Sequence, residues 1–340
     1  MQSEIKVKET PLTRKDFKTD QAVRWCPGCG DYMILANMQK AFAQMDHPKE
    51  NFLSISGIGC SSRITYYLET FGIHSVHGRA LPVATGAKLA NPDLNVWVFS
   101  GDGDSMAIGG NHFIHACRRN VDLNLIIFNN KIYGMTKGQS SPTTPAGVKT
   151  KTAPEGSYEN PFNIGEIAIG AGATFYARVP DKNPKLMEEA MMQAYHHKGF
   201  SVIEVLQNCV IFTDGIHDLI TGRDTKNENQ VVVEHGKPIE FGNENEFGLE
   251  VEGMKLKKTN LENGDRKSIV HDATDPDTAM HLALARMQLP DFPVATGIIR
   301  KVEKPNYGMD VHKAIEDAKK RSKYSSVHDL IHGGNTWEIL

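Results

Sequence analysis

Nowhere do the 340 residues gather an apolar run near the ~20 needed to cross a bilayer. Residues 1–9, Met-Gln-Ser-Glu-Ile-Lys-Val-Lys-Glu, lack an apolar h-region, so neither secretion nor membrane attachment is expected. Charge of one sign is scarce too. With 38 Lys and Arg against 41 Asp and Glu, the net charge is −3, which argues against a nucleic-acid partner. Internal repeats and low-complexity blocks are absent. Cysteine is sparse: five residues, odd in number and unevenly spaced, fit metal or redox duty in a reducing cytoplasm better than a disulfide frame. What remains is one large α/β domain with appendages, or two domains, with 40% hydrophobic residues to build a core.

The chain is organised around residues 96–138. Asn-Val-Trp-Val-Phe-Ser (95–100) reads as a buried parallel strand, and it runs straight into Gly101-Asp102-Gly103-Asp104. A helix is expected over 106–119. A second buried strand over 123–128 then ends at Asn129-Asn130. This βαβ unit puts polar residues at the carboxyl ends of both strands, where open α/β sheets bind ligands. The two glycines let backbone approach a ligand closely. Mg²⁺ takes six oxygens and shares them between protein and phosphate. Asp102 offers a carboxylate, Asn130 an amide oxygen and Ile132 a backbone carbonyl. Gly-Asp-Gly followed by Asn-Asn, with twenty-eight positions from Asp102 to Asn130, resembles the signature of thiamine-diphosphate (TPP) enzymes.

Toward the N-terminus, residues 1–24 read as an extended polar arm. Asp31 is expected to cap a helix whose apolar face is Ile34, Leu35, Met38, Ala41, Phe42 and Met45. A strand over 52–56 leads into the turn Gly57-Ile58-Gly59-Cys60, followed by Arg63 and by Glu69 in a helix. Residues 74–91 read as a loop feeding a small-residue helix. Residues 132–146 are Gly-, Ser- and Pro-rich and suggest a ligand-covering loop. Helices over 163–170 and 185–197 alternate with strands over 174–178 and 200–206, so the sheet is expected to be parallel with helices on both faces. From 216 to 340 the chain turns charged and Asn/Gly-rich, with β-like runs at 231–233 and 239–241 and a helix over 277–287. This is expected to be a mixed C-terminal extension that contacts a partner.

Cys26 and Cys29 form a C-x-x-C before a helix, while Cys60 and Cys209 each follow a buried strand. All four therefore belong at the carboxyl edge of one sheet, beside Gly-Asp-Gly-Asp. Four thiolates suit either Zn²⁺ or an iron–sulfur cluster. Cys117, inside a helix, reads as a small core residue. A cluster next to TPP has a clear use, because electrons from a decarboxylated 2-oxo acid need a one-electron relay.

Trp-Cys-Pro-Gly-Cys-Gly (25–30), Gly-Ile-Gly-Cys (57–60), His-Gly-Arg-Ala (77–80), Gly-Asp-Gly-Asp (101–104) and Asn-Asn-Lys-Ile-Tyr-Gly-Met-Thr-Lys-Gly-Gln (129–139) together resemble the β subunit of 2-oxoacid:ferredoxin oxidoreductases, nearest the bacterial 2-oxoglutarate type. The resemblance covers about residues 20–215. It implies that Cys26, Cys29, Cys60 and Cys209 hold one [4Fe–4S] cluster, and that Asp102, Asn130 and Ile132 hold Mg²⁺ and the TPP diphosphate. It further implies cofactor contacts from Gly57, Ile58, Gly59, His77, Gly101, Gly103, Asp104, Asn129, Gly134 and Thr136. Met135 and Lys137 would lie over the cofactor, and Arg63 would meet the substrate carboxylate through its planar guanidinium. The partners implied are an α subunit, which supplies the glutamate that protonates the aminopyrimidine, together with ferredoxin, coenzyme A and a 2-oxo acid. The competing readings are a pyruvate or branched-chain enzyme, a non-redox TPP lyase with zinc on its cysteines, and a non-catalytic iron–sulfur subunit.

Overall fold

Side-chain alternation along β3 (Asn95–Gly101) sets the layout: Val96 and Val98 face one layer of helices, Trp97 and Phe99 the other. All four are buried, so this strand is covered on both faces, as its uninterrupted apolar run requires. The computed structural model describes residues 11–261, 267–334, 337 and 339. Its central sheet has eight strands. Besides β3 these are β1 (Phe52–Ser56), β2 (Phe71–His74), β4 (Leu123–Asn129), β5 (Phe175–Pro180), β6 (Phe200–Leu206), β7 (Gln230–Val233) and β11 (Val294–Lys301). Three further strands, β8 (Glu240–Phe241), β9 (Phe247–Glu252) and β10 (Lys255–Asn260), make a small antiparallel sheet.

The order across the large sheet is β2-β1-β3-β4-β6-β5-β11-β7. From β2 to β5 every pairing is parallel, as expected. One layer of helices is α1 (Asp31–Gln44) and α6 (Pro184–His196). On the opposite face lie α2 (Ala80–Ala90), α4 (Gly110–Arg119), α5 (Ile164–Gly170) and α9 (Ala279–Arg286). The expected apolar face of α1 is buried at all six positions, Ile34 to Met45, because the i, i+4, i+7 spacing keeps it on one stripe. The short helices are α3 (Asp102–Met106), α7 (Asp218–Thr221), α8 (Lys226–Asn229) and α11 (Val327–Ile331); α10 (Tyr307–Arg321) is longer and buries no residue.

Several expectations need correction. The sheet is not wholly parallel, since β11 runs antiparallel to β5. The 216–340 segment is not an appendage beside the sheet: β7 and β11 extend the same sheet. Residues 11–24 are not a free arm, because a 3-10 turn at Arg14–Phe17 drives Phe17 into the core against Phe42 and Phe52. His74, expected to open the 74–91 loop, is instead the last residue of the edge strand Phe71–His74, whose exposed pattern hides its pairing. Glu69 follows a 3-10 turn at Ser61–Tyr66 rather than sitting in a helix. Helix 106–119 is two helices broken around Ala107–Gly109. Gly30, not Asp31, occupies the cap of α1.

One buried polar knot fixes the turn that leads into β4. Asn120 adopts a left-handed conformation (φ 50°) at the end of α4, and its side-chain oxygen accepts from Phe200 N (2.8 Å). The same oxygen accepts from Thr174 Oγ1 (2.6 Å), whose hydroxyl also sits 2.7 Å from His197 Nε2. A hydroxyl has one proton, so His197 must donate here as the neutral Nε2–H tautomer. Burial lowers its pKa to about 4. A histidine held neutral costs stability once the unfolded chain takes up the proton, so the loss starts below pH 6.5 and grows until about pH 4. By this linkage His197 is expected to destabilise the fold by about 2 kcal/mol at pH 5. Denaturant titrations at pH 7.5 and 5 should show that difference shrink in His197→Gln.

Candidate active site at the carboxyl rim

Because β1, β3, β4 and β6 are parallel and in register, the segments that follow them leave from one rim of the sheet. Those segments are 57–60, 102–104, 130–139 and 207–212. Two adjoining cavities open there.

The first has a volume of about 430 Å³, within the ~300–1,000 Å³ range of ligand clefts. Ile58, Gly59, His77, Gly101, Asp102, Gly103, Asp104, Asn130, Ile132, Gly134, Met135 and Thr136 line it, together with Cys60, Ser61 and Tyr133. Its two carboxylates have different neighbours. Asp104 is a latch. Its Oδ1 accepts from Ile58 N (3.1 Å) and Gly78 N (2.7 Å) and lies 2.8 Å from His77 Nδ1, while Oδ2 accepts from Ser100 Oγ (2.5 Å). Asp102 is held by hydroxyls from the 132–146 loop, with Ser141 Oγ (2.6 Å) and Thr143 Oγ1 (2.5 Å) both donating to Oδ2. Among the described residues no side chain bonds its Oδ1. Burial raises the Asp102 carboxyl to about 6, and the two hydroxyl donors only partly offset it. A carboxylate in that state gains from a cation facing it.

Three further features suit a phosphate-bearing ligand. Ser61 Oγ is buried in the wall with no hydrogen-bond partner. Gly59, at φ 129°, has nothing within 4 Å of where a Cβ would stand, so its backbone faces open space. Tyr133 closes the far side, its hydroxyl donating to Gly103 O (3.0 Å), and the glycine is needed because a Cβ would collide with the ring.

The second cavity, about 270 Å³, is ringed by Cys26, Cys29, Cys60 and Cys209 with Trp25, Arg63, Val210, Ile211 and Phe212. It shares Asn130, Gly134, Met135 and Cys60 with the first. Gly28 (φ 84°) turns the C-x-x-C, and Gly30 N donates to Asn208 O (3.1 Å), tying that turn to the end of β6. Trp25 Nε1 donates to Cys60 O (2.7 Å), which fixes the third thiol. A Cβ on Gly134 would stand 3.6 Å from Cys209 Sγ and 3.7 Å from Cys60 Sγ, so the loop passes directly over both sulfurs. Burial pushes the Cys60 thiol up to about 12, and it raises Cys29 as well. Among the described residues no three His, Cys, Asp or Glu side chains converge on a single-ion site. The thiols surround a space rather than a point.

The expected site residues divide accordingly. Gly57 is not in the lining; a Cβ there would fall 1.7 Å from Asp104 Oδ2, so its smallness serves the latch. Asn129 turns away from the first cavity: its Nδ2 donates to Glu204 Oε1 (2.6 Å), and Thr143 Oγ1 lies 3.1 Å from its Oδ1. Lys137, at φ 75°, lines neither cavity. Arg63 lines the thiol cavity, with Nε donating to Tyr67 OH (3.0 Å) and the guanidinium over the rings of Tyr66 and Tyr67. Cys117 is sealed in the core on α4, as expected. Ser61, Ser141, Thr143 and Gln207 were not among the expected site residues; the Ser-rich 132–146 loop, expected to cover a ligand, does supply Ser141 and Thr143. A larger cleft of 1020 Å³ between α6 and β11 contains none of these residues.

Residues 57–205 match the family model of the thiamine pyrophosphate enzyme C-terminal TPP binding domain. The chain is 42% identical to the 2-oxoglutarate oxidoreductase subunit KorB of Mycobacterium tuberculosis over 97% of its own length and 90% of that protein. The chain belongs to the KorB family of β subunits. A 2-oxoglutarate synthase subunit KorB from Archaeoglobus fulgidus is 53% identical over 54% of this chain and 69% of its own. Among solved structures, a 2-oxoglutarate:ferredoxin oxidoreductase from Magnetococcus marinus with 2-oxoglutarate, coenzyme A and succinyl-CoA bound superposes with a TM-score of 0.77 at 30% identity, covering 96% of each chain. The KorB likeness thus extends through the 216–340 segment, in keeping with its strands in the central sheet. Among the described residues no helix is long and apolar enough to cross a membrane.

In this KorB-family rim the latch depends on the smallness of Gly57. Gly57→Ala is expected to cost ~1–3 kcal/mol through overpacking against the Asp104 carboxylate. Amide exchange by NMR should show Ile58 and Gly78 losing protection in that variant; unchanged protection would remove Asp104 from this role.

Proposed function

We propose that this chain is the catalytic β subunit of a 2-oxoglutarate:ferredoxin oxidoreductase. With an α subunit it carries out coenzyme A-dependent oxidative decarboxylation of 2-oxoglutarate to succinyl-CoA and CO₂, or the reverse carboxylation, in the cytoplasm. Electrons leave one at a time to ferredoxin. The observation that carries this reading is the shared wall of the two cavities, where Cys60, Asn130, Gly134 and Met135 belong to both.

Mg²⁺ is assigned to Asp102, the Asn130 side chain and the Ile132 carbonyl, an all-oxygen set with room left for diphosphate oxygens. The partnerless Ser61 hydroxyl and the open backbone at Gly59 support a diphosphate beside them. The four cysteines are assigned to one [4Fe–4S] cluster. Four thiols spread around 270 Å³ favour a cluster over a zinc ion, whose ~2.3 Å bonds need the sulfurs drawn together. Bound in these sites, TPP would supply a stabilised carbanion equivalent and the cluster a one-electron outlet. The chain's own residues bind, orient and shield. The hydroxyls of Ser141 and Thr143 aim the Asp102 carboxylate. Met135 stands at the mouth common to both cavities, and Arg63 on the cluster side is the group proposed to meet the substrate carboxylate. The α subunit is proposed to dock partly on 216–340, where α11 leaves Val327, Leu330 and Ile331 exposed.

The direct test is anaerobic co-purification with the neighbouring subunit, followed by coenzyme A-dependent dye reduction with 2-oxoglutarate, pyruvate and branched-chain 2-oxo acids. The expected result is 2-oxoglutarate preferred, with KM raised about tenfold or more in Arg63→Ala, the scale of one lost charge-assisted contact. Pyruvate preference, or an unmoved KM, would count against the substrate assignment.

A crossed pair separates the two cofactors. Asp102→Ala should lose TPP while retaining the brown chromophore, and Cys209→Ser should lose or perturb the chromophore while retaining TPP. Cys117→Ser should change neither; metal analysis and thiochrome assay read all three.

A further inference from the structure

Behind the four thiols, a buried neutral amide reaches one of the sulfurs from outside the cavity lining. Gln207 follows β6 and is fully buried. Its backbone N donates to Asn129 O (3.1 Å), continuing the β4–β6 ladder, and its Cγ packs so tightly that a Cβ on Gly30 would come within 3.0 Å. The side chain therefore has a fixed position. The amide also has a fixed orientation: Nε2 lies 2.6 Å from the carbonyl of Asn208, an acceptor only, so the nitrogen must be on that side. Its second hydrogen reaches Cys29 Sγ at 3.3 Å. Both donors of the amide are thus used, while its Oε1 is buried without a partner. A methionine or leucine would fill the same volume without stranding an acceptor, so packing does not account for a glutamine here.

We propose that Gln207 is a positioning residue for electron transfer, donating an N–H···S hydrogen bond to the Cys29 thiolate and so holding the cluster's reduction potential higher than the thiol cage alone would give. This rests on the assignment of the four cysteines to one [4Fe–4S] cluster. The physical argument is electrostatic. A donor aimed at a cluster sulfur stabilises negative charge, and the reduced cluster carries one more electron than the oxidised form, so it gains more. A glutamine does not titrate, so the effect is independent of pH. Cys29 has another neighbour, Asp31, a carboxyl buried beside it on α1. Any influence of Asp31 varies with its protonation and separates from that of Gln207.

The experiment is an EPR-monitored redox titration of the anaerobically purified αβ enzyme, wild type and Gln207→Met, at pH 6.5 and 8.5. Resonance Raman spectra in H₂O and D₂O accompany it. The expected result is a shift to lower potential that makes the reduced fraction at a fixed solution potential about tenfold smaller, or about 59 mV for a one-electron couple. The shift should be equal at both pH values, and the wild type's D₂O-sensitive Fe–S(Cys) stretch should be lost in the variant. An unmoved potential overturns the proposal. A shift that differs between the two pH values overturns it too, because the effect then runs through a titrating group and not through the neutral amide. If Gln207→Met fails to hold a cluster, the wild-type spectra decide: a D₂O-sensitive stretch supports the N–H···S bond, and its absence refutes it. A wild-type enzyme with no [4Fe–4S] signal at all overturns the cluster assignment itself, an outcome distinct from the others.

Discussion

Parallel pairing of β1, β3, β4 and β6 is the constraint on which everything else depends. Parallel strands need crossovers, and crossovers place helices on both faces, so the strands must be apolar throughout. The polar chemistry is thereby pushed off the strands and onto their carboxyl ends. Four strands end on one rim, and each contributes a different group: a thiol after β1, carboxylates after β3, an amide after β4, a thiol and an amide after β6. Residues 60, 102, 130 and 209 are far apart in sequence and share a neighbourhood because of strand register. The register is fixed by burial, since a slip of one residue would turn Trp97 and Phe99 into the wrong helix layer.

The two aspartates of Gly101-Asp102-Gly103-Asp104 show how identical side chains two positions apart acquire different work. Asp104 meets two backbone N–H groups and a serine hydroxyl, which saturate it and clamp the 57–60 turn to the 74–78 segment. Asp102 meets two hydroxyls on one oxygen and the backbone at the start of α3, yet burial still outweighs these donors and raises its carboxyl to about 6. The first is a finished hydrogen-bond centre that needs no ligand. The second leaves one oxygen without a side-chain donor among the described residues, which is why it, rather than Asp104, is the carboxylate proposed to face a cation.

Much of this was legible in the chain. Uninterrupted apolar runs marked β3, β4 and β6, and the 3.6-residue period marked α1 and α6, because burial on both faces or along a stripe is written directly into side-chain type. The Gly-Asp-Gly and Asn-Asn turns and the four cysteines announced the rim. What was not legible depended on tertiary contacts without a sequence period. β11 joins the sheet antiparallel with a register shift near Ile298, and β2 is an edge strand with every residue exposed. Asn129 and Asn130 are adjacent and chemically alike, yet strand alternation sends one side chain to Glu204 and leaves the other at the rim. Ser61, Ser141, Thr143 and Gln207 are ordinary polar residues whose roles arise only from what lies opposite them.

The state of the thiols bears on how such a rim is filled. Burial raises Cys29 and holds Cys60 near 12, so with nothing bound to them both thiols are protonated at neutral pH. Metals bind thiolates, so seating the proposed cluster would release those protons, and the binding energy of iron would have to exceed the cost of holding thiolate charge in a poorly solvated place. The same burial that opposes the empty thiolates favours the filled site, because charge on iron and charge on sulfur attract more strongly where water is excluded. Trp25, Val210, Ile211, Phe212 and Met135 provide that exclusion around the cysteines. The Gln207 amide reaches Cys29 Sγ from behind this wall, and Arg24, Arg63 and Asn130 stand in its lining. If the four cysteines hold the proposed cluster, its potential is set by the balance between this burial and the donors that reach the sulfurs.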